Sequence, residues 1–436
     1  MRAFAATTAP VAARTLVLAA CAALLPACAG APRPADRLDR TTTLTPADPA
    51  SVGMSADLNA RLDSIVTAAL AEGAAPGAVL AVGRWGRLVH LRGYGAMDTA
   101  AGAPAMTDST LFDMASLTKV VAATTAAMIL EEEGLLDLDR PVREYLPELN
   151  SPDKAGITVR MLLVHNAGFV AYAPLWRTAR GREEYLAAIN AGPLAYTPGD
   201  TTVYSDWDLI LTGLIIERLT GKPLDVFLQE RVWGPLGMHD TGFNPLASAP
   251  PGAGEDCTAT YDPNHPLLAR IAPTEVDTVY RNIHVHGIVH DENACALGGV
   301  AGHAGLFSSA RDLAVFAQMM LNGGEYGGVR LLSPETIARW TARQGPRSSR
   351  ALGWDTPSPG SSAGRYFSPR SFGHTGFTGT SIWIDPERGL FVILLTNRVN
   401  PTRQNMRHEP LRRAVADAVQ AAVLDAPLVE WRPARS

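Results

Sequence analysis

Lysine is nearly missing from this chain. Among 436 residues, 38 are Lys or Arg, and only Lys119, Lys154 and Lys222 are lysines. GC-rich coding shifts lysine toward arginine wherever a surface cation suffices, so the shortage is by itself bland. It singles out the survivors as positions that could need an amine able to lose its proton, which arginine cannot supply. Charge is also modest, at 19% with a formal net charge of −5, and 47% of residues are hydrophobic. That balance excludes a disordered chain and a general nucleic-acid binder. Long apolar runs are absent too. The longest candidate, residues 15–27, falls short of the roughly 20 residues that span a bilayer.

Cysteine is sparse, and two of the four cysteines fall near the start. Arg2 and Arg14 precede the apolar run, so residues 1–28 read as an export signal. Leu18-Ala19-Ala20-Cys21 and Leu25-Pro26-Ala27-Cys28 both have lipoprotein-like contexts. Cys28 leaves the fuller hydrophobic stretch and is the expected lipid attachment; Cys21, or ordinary cleavage after Ala29, are the alternatives. One acyl anchor would tether the chain to a membrane surface without spanning it. Residues 29–50, rich in Pro, Ala, Thr and Asp, read as a flexible tether. The expected location is exported, periplasmic or membrane-anchored. Cys257 and Cys295 are then either a bridge in an oxidising compartment or two buried thiols.

The mature chain opens with an amphipathic helix over 57–72, capped by Ser55 and stopped by Gly73. Strands follow over 78–83 and 88–94 around the turn 84–87. Residues 115–133 form an apolar, hence buried, helix. Helices and long loops dominate 135–300, strand signals return over 371–384 and 390–396, and a helix closes 406–423. This order predicts an α/β fold: an antiparallel sheet flanked by helices, from about 51–134 and 301–425, with a mostly helical insertion over 135–300. Residues 426–436 are a tail.

Within the apolar helix Lys119 is anomalous, because burial penalises an ammonium and lowers its pKa. Ser116 lies three positions earlier, on the same face and near the helix start, where free N–H groups favour a developing oxyanion. A serine beside an amine that can relay its proton is the pattern of a nucleophile. Lys154 and Lys222, in a loop and at a helix end, read as ordinary surface cations.

Ser116-Leu117-Thr118-Lys119 matches the first motif, Ser-x-x-Lys, of the serine β-lactamase and penicillin-binding protein superfamily. Tyr204-Ser205-Asp206 resembles the second motif and His374-Thr375-Gly376 the third. The stretches 157–168, 235–238, 289–307 and 397–402 also look familial, the last two resembling the penicillin-binding protein 4B-like branch. The resemblance covers about 50–425 and implies a β-lactamase/transpeptidase-like fold.

It further implies an acyl-enzyme on Ser116, with acid–base work by Lys119 and Tyr204 and the oxyanion held by the Ser116 and Phe377 amides. Asp206, His374, Thr375, Gly376, His290 and Asp291 are the implied substrate contacts, although His290 and Asp291 serve equally as loop-knitting residues. Asp206 stands where the family usually has asparagine. An ionised carboxylate cannot donate a hydrogen bond, but it can pair with Lys119 and leave Tyr204 as the base. His374 replaces the usual lysine, weakening the charge that recognises a carboxylate.

A small-molecule or peptidoglycan-derived substrate is implied, with no cofactor, no nucleic acid and an unspecified oligomeric state. The implied activity is D-alanyl-peptide carboxypeptidase-like or cell-wall-fragment hydrolysis, with small-ester hydrolysis or weak β-lactamase activity as alternatives. A non-turnover penicillin sensor is a further reading. The histidine-rich stretch from His284 through His286 to His290 offers zinc-type ligands, but its spacing does not match zinc hydrolases, and no metal is expected.

Overall fold

The computed structural model describes residues 43–252 and 254–431. The export signal, Cys21, Cys28 and the tether up to residue 42 lie outside the described residues. A six-stranded sheet runs in the order Thr45–Pro46, Arg87–Gly95, Gly77–Arg84, Leu390–Thr396, Ser381–Asp385, Phe372–Thr375. All pairings are antiparallel except the first, where Thr45–Pro46 runs parallel to Arg87 and Leu88. The expected sheet is therefore mixed at one edge, and the end of the expected tether is bonded into it.

Every residue of Gly77–Arg84 is buried, because the sheet is covered on both faces. Alternation sorts its side chains. Val79 and Ala81 enter a core with Ile393, Leu395 and the helix Ala310–Leu321. Ala78, Leu80 and Val82 enter a second core with Leu58, Leu62 and Val66 of the helix Leu58–Ala71 and with Leu411, Val415 and Val419 of the helix His408–Ala421. Ser55 is not the expected helix cap: its Oγ binds Asp57 Oδ1 at 2.5 Å, and Asp57 precedes the first helical residue.

Two further expectations are revised. The apolar helix begins as a π-helix over Lys119–Thr124 and continues as an α-helix over Thr125–Glu132, with Ser116 in the turn before it. Wider π turns are frequent at functional sites. The strand expected over 371–384 is broken by a turn at 376–380, which permits Gly376 N–H to bind Thr380 O at 2.8 Å.

The middle of the chain combines mostly short helices with long loops, and it is tied to the rest by strands. Gly242–Phe243 and Leu111–Asp113 flank Leu306–Ser309 in a three-stranded sheet, and Val276–Asp277 pairs with Ile283–His284. Cys257 and Cys295 form a disulfide, with Cα atoms 4.7 Å apart. It fastens the 257 loop to the short helix Glu292–Ala296. The expected tail also packs: Pro427 O accepts from Arg388 and Trp431 N–H donates to Arg365 O.

Candidate active site

Ser116 faces a cleft of about 680 Å³ between the sheet edge and the middle segment. The turn carrying it is held from below by Asp113, whose Oδ1 accepts the Ala115 N–H at 2.7 Å and whose Oδ2 accepts the His290 N–H at 2.6 Å. Ala115 has φ of 45°, a left-handed conformation uncommon for a side-chain-bearing residue. Asp113 thus joins the strained turn carrying Ser116 to the His290 side of the cleft. Burial pushes its carboxyl above the usual range.

Lys119 is fully buried. Its Nζ donates to Ser116 Oγ at 3.1 Å, Asp206 Oδ1 at 2.8 Å and His303 O at 3.0 Å. An ammonium has three protons, and all three are used. Burial alone would lower the pKa, as expected from sequence, but Asp206, assisted by Tyr204, outweighs it and holds the amine above the ordinary lysine range. In this arrangement Lys119 donates to Ser116 and cannot accept its proton.

Tyr204 is the remaining candidate base in the cleft beside Lys119. Its Oη is buried without a fully formed hydrogen bond, and the Lys119 ammonium lies 4.9 Å from its ring centre. The Arg350 guanidinium lies 5.0 Å from the same ring. Both cations lie against the electron-rich ring and help to hold it in the cleft.

The opposite wall is the turn 376–380. A Cβ on Gly376 would fall 2.1 Å from Thr380 Oγ1 and 2.4 Å from Met114 O, so only glycine lets this turn meet the nucleophile segment. Thr378 and Thr380 hydroxyls donate to Asp113 O and Met114 O, while Arg412 donates to Gly376 O and Thr380 O. Among the described residues the Ser116 and Phe377 amides bind no protein acceptor, leaving both free for an oxyanion.

His374 Nδ1–H donates to Thr375 O at 2.8 Å, and its Nε2 is buried without a partner. Burial, with Arg350 and Lys119 nearby, drives its pKa well below the usual value, so it is neutral at pH 7. Thr375, Asp206, His290 and Asp291 also line the cleft. His290 is nevertheless engaged: Nε2 meets Glu275 Oε2 at 2.7 Å, and the ring stacks on Phe377. Asp291 Oδ1 caps the helix Glu292–Ala296 through Ala294 N–H and contacts His303 Nε2 at 2.9 Å. His303 in turn gives its carbonyl to Lys119.

The histidine-rich stretch disperses. His284 faces Asp98 at 4.0 Å, His286 Nε2 binds Ile271 O, and His290 binds Glu275. A different trio, Asp206, Asp291 and His303, brings ligand-type atoms within 4.8 Å of one another. There the Lys119 ammonium already supplies the positive charge.

Sequence reasoning passed over Asp113, His165, Asp208, His303 and the cleft arginines Arg350, Arg398, Arg403 and Arg412. The arginines were concealed by their abundance. The others had no local signal, except that His165 and His303 belong to familial stretches. Lys154 is corrected as well: it is 1% exposed, paired with Asp153 and bonded to Gly192 O.

A family model described as Beta-lactamase matches residues 62–417. A protein of Escherichia coli O157:H7 named "Putative D-alanyl-D-alanine carboxypeptidase" is 34% identical over 392 residues, covering 81% of this chain and 86% of the relative. A relative of the same name from Salmonella agona is 34% identical over 70% of this chain and 73% of its own length. Among solved structures, a penicillin-binding protein homologue from Caulobacter crescentus has a TM-score of 0.64 at 22% identity, covering 85% of this chain and 99% of that one. A family VIII carboxylesterase has a TM-score of 0.61 at 22% identity, with 85% and 99% covered.

Proposed function

Since the chain belongs to the Beta-lactamase family of serine hydrolases, we propose that it is an exported D-alanyl-peptide carboxypeptidase or cell-wall-fragment hydrolase working through an acyl-enzyme on Ser116. The observation that carries this reading is the three-way engagement of Lys119 with Ser116, Asp206 and His303 O beside Tyr204. Export rests on the signal-like leader, and the Cys257–Cys295 bridge suits an oxidising compartment.

In the proposed reaction Tyr204 takes the Ser116 proton while Lys119 stays an ammonium. Ser116 Oγ bonds to the acyl carbon, and the carbonyl electrons move to oxygen, where the amides of Ser116 and Phe377 stabilise them. As the C–N bond breaks, the proton held by Tyr204 passes to the leaving amine. Water then attacks the ester, with Tyr204 as base, and Ser116 is regenerated. Neutral His374 supplies no charge for a substrate carboxylate, so Arg350 and Arg412 along the cleft take that part. The same neutral His374 favours small-ester hydrolysis as the second reading.

The full chain and Ser116→Ala are compared on a D-alanyl-D-alanine peptide, p-nitrophenyl acetate, a chromogenic cephalosporin and a fluorescent penicillin. Release of D-alanine by the wild type, reduced at least about 10³-fold in Ser116→Ala, is the expected outcome. Ester turnover without D-alanine release would establish the esterase reading instead. Stable penicillin labelling with no turnover would establish a sensor.

A further inference from the structure

The loop bearing Tyr204 is framed by a single buried residue, His165. Val203 N–H donates to His165 O at 2.9 Å, and Ser205 N–H donates to His165 Nδ1 at 3.3 Å, so both neighbours of Tyr204 are tied to it. Tyr196 Oη donates to the same carbonyl at 3.2 Å. The imidazole packs on the phenol ring with centroids 4.6 Å apart. Asp208, in the first turn of the helix Asp206–Thr220, meets His165 Nδ1 at 2.7 Å, and neither side chain is more than 1% exposed. His165 also holds φ at 59°, a conformation that persists in a non-glycine residue when its surroundings over-determine it.

One proton lies in the short contact between Asp208 Oδ2 and His165 Nδ1, a nitrogen with a single lone pair that the Ser205 N–H at 3.3 Å approaches only weakly. Burial pushes the Asp208 carboxyl well above its usual range and His165 well below its own. Arg350 and Lys119 add to the effect on the histidine. The pair is uncharged and does not compete with Asp206 for Lys119.

We infer that His165, locked by Asp208, is the positioning residue that sets the Tyr204 hydroxyl against Ser116 and Lys119. The inference rests on the reading of Tyr204 as the base. Proton transfer is sensitive to small displacements of the base, and a rigid neutral support holds the ring without altering the charge around it. His165 is fully buried and does not line the cleft, so its effect passes through Tyr204.

The test is a double-mutant cycle on the full chain, using hydrolysis of whichever probe the wild type turns over. Tyr204→Phe is expected to lower kcat by about 10³-fold and His165→Ala by about 10²-fold, with KM within about twofold. The double variant should be no slower than Tyr204→Phe by more than about threefold, because the histidine acts only through the tyrosine. Asp208→Asn keeps a donor for Nδ1 and should retain kcat within about threefold, whereas Asp208→Ala should lose about tenfold. Multiplied losses in the double variant, or a His165→Ala enzyme with wild-type kcat, overturn the inference. Should His165→Ala not fold, the cycle of Asp208→Ala with Tyr204→Phe decides by the same criterion. Wild-type kcat in Tyr204→Phe alone would instead overturn the reading of Tyr204 as the base.

Discussion

Lys119 shows how little a residue's identity says without its partners. A buried lysine with no counter-ion is a candidate free amine, but this one spends its protons on Ser116, Asp206 and His303 O. Asp206 is the decisive partner because it adds a full charge at 2.8 Å in a site that excludes much of the water. Asp206→Asn removes that charge and restores an amide donor. Chromogenic cephalosporin turnover should then rise several-fold over wild type, and an unchanged rate would show that Asp206 does not limit lactam hydrolysis. The Ser-x-x-Lys pair was legible in sequence because its members lie one helical turn apart. Asp206 was legible only as a departure from a motif, and its contact with Lys119 spans 87 positions. Abundance hid Arg350 and Arg412, since one arginine among many carries no local mark.

Among the elements, the turn 376–380 contributes most to the site. It interrupts what the alternation suggested was one strand, and the interruption frees the Phe377 amide. Two threonine hydroxyls clamp it to the segment before Ser116, and Arg412 ties it to the helix His408–Ala421. Gly376→Ala would press a methyl into Thr380 Oγ1 and Met114 O. Acylation by fluorescent penicillin should slow by about 10²-fold, the scale for losing one oxyanion donor. Wild-type acylation in a folded Gly376→Ala protein would show that the turn tolerates the methyl without moving the amide. The glycine itself was legible from the third motif. The break in the strand was not, because alternation alone does not show where a ladder stops. Likewise, the helix 119–132 was legible from its apolar composition, but its opening π turns depend on packing against neighbours.

Over the whole molecule, the buried histidines make acid the condition to which the fold is most sensitive. Burial lowers His90 to about 4, and burial with Arg412 and Arg398 lowers His408 to about 3. His374 lies well below the usual value as well, whereas the depressed His165 is offset by its partner Asp208, whose raised carboxyl acts in the opposite sense. An unfolded histidine titrates near 6.5. Below that pH the unfolded chain binds protons that the folded chain refuses, so stability present above about 6.5 is lost as pH falls toward these depressed values. Each such group adds a slope of about 1.4 kcal/mol per pH unit within its window. Glu275 adds a second, lower window. Burial would raise it, but hydrogen bonds from His290 and Arg403 lower it to about 2, so its contribution is lost only below the ordinary carboxylate value. Melting temperature should therefore drop between pH 7 and pH 4.5 and fall further toward pH 3. A flat profile from pH 7 to 4.5 would contradict the neutral state of these histidines.

The sequence by itself determined the α/β class, the chain order of the elements and the three motifs. These depend on periodicity and on residues close together along the chain. Tertiary structure formed the Lys119–Asp206 pair expected from the second motif, and it alone decided that Asp113 meets the His290 amide 177 positions away and Asp208 meets His165 behind Tyr204. Such contacts are set by how helices and strands pack in three dimensions. No local pattern encodes them, and they govern which groups are charged and which can accept a proton. The scarcity of lysine only made the Ser-x-x-Lys pattern worth following, and the packing gives Lys119 the ion pair with Asp206 that favours its charged form.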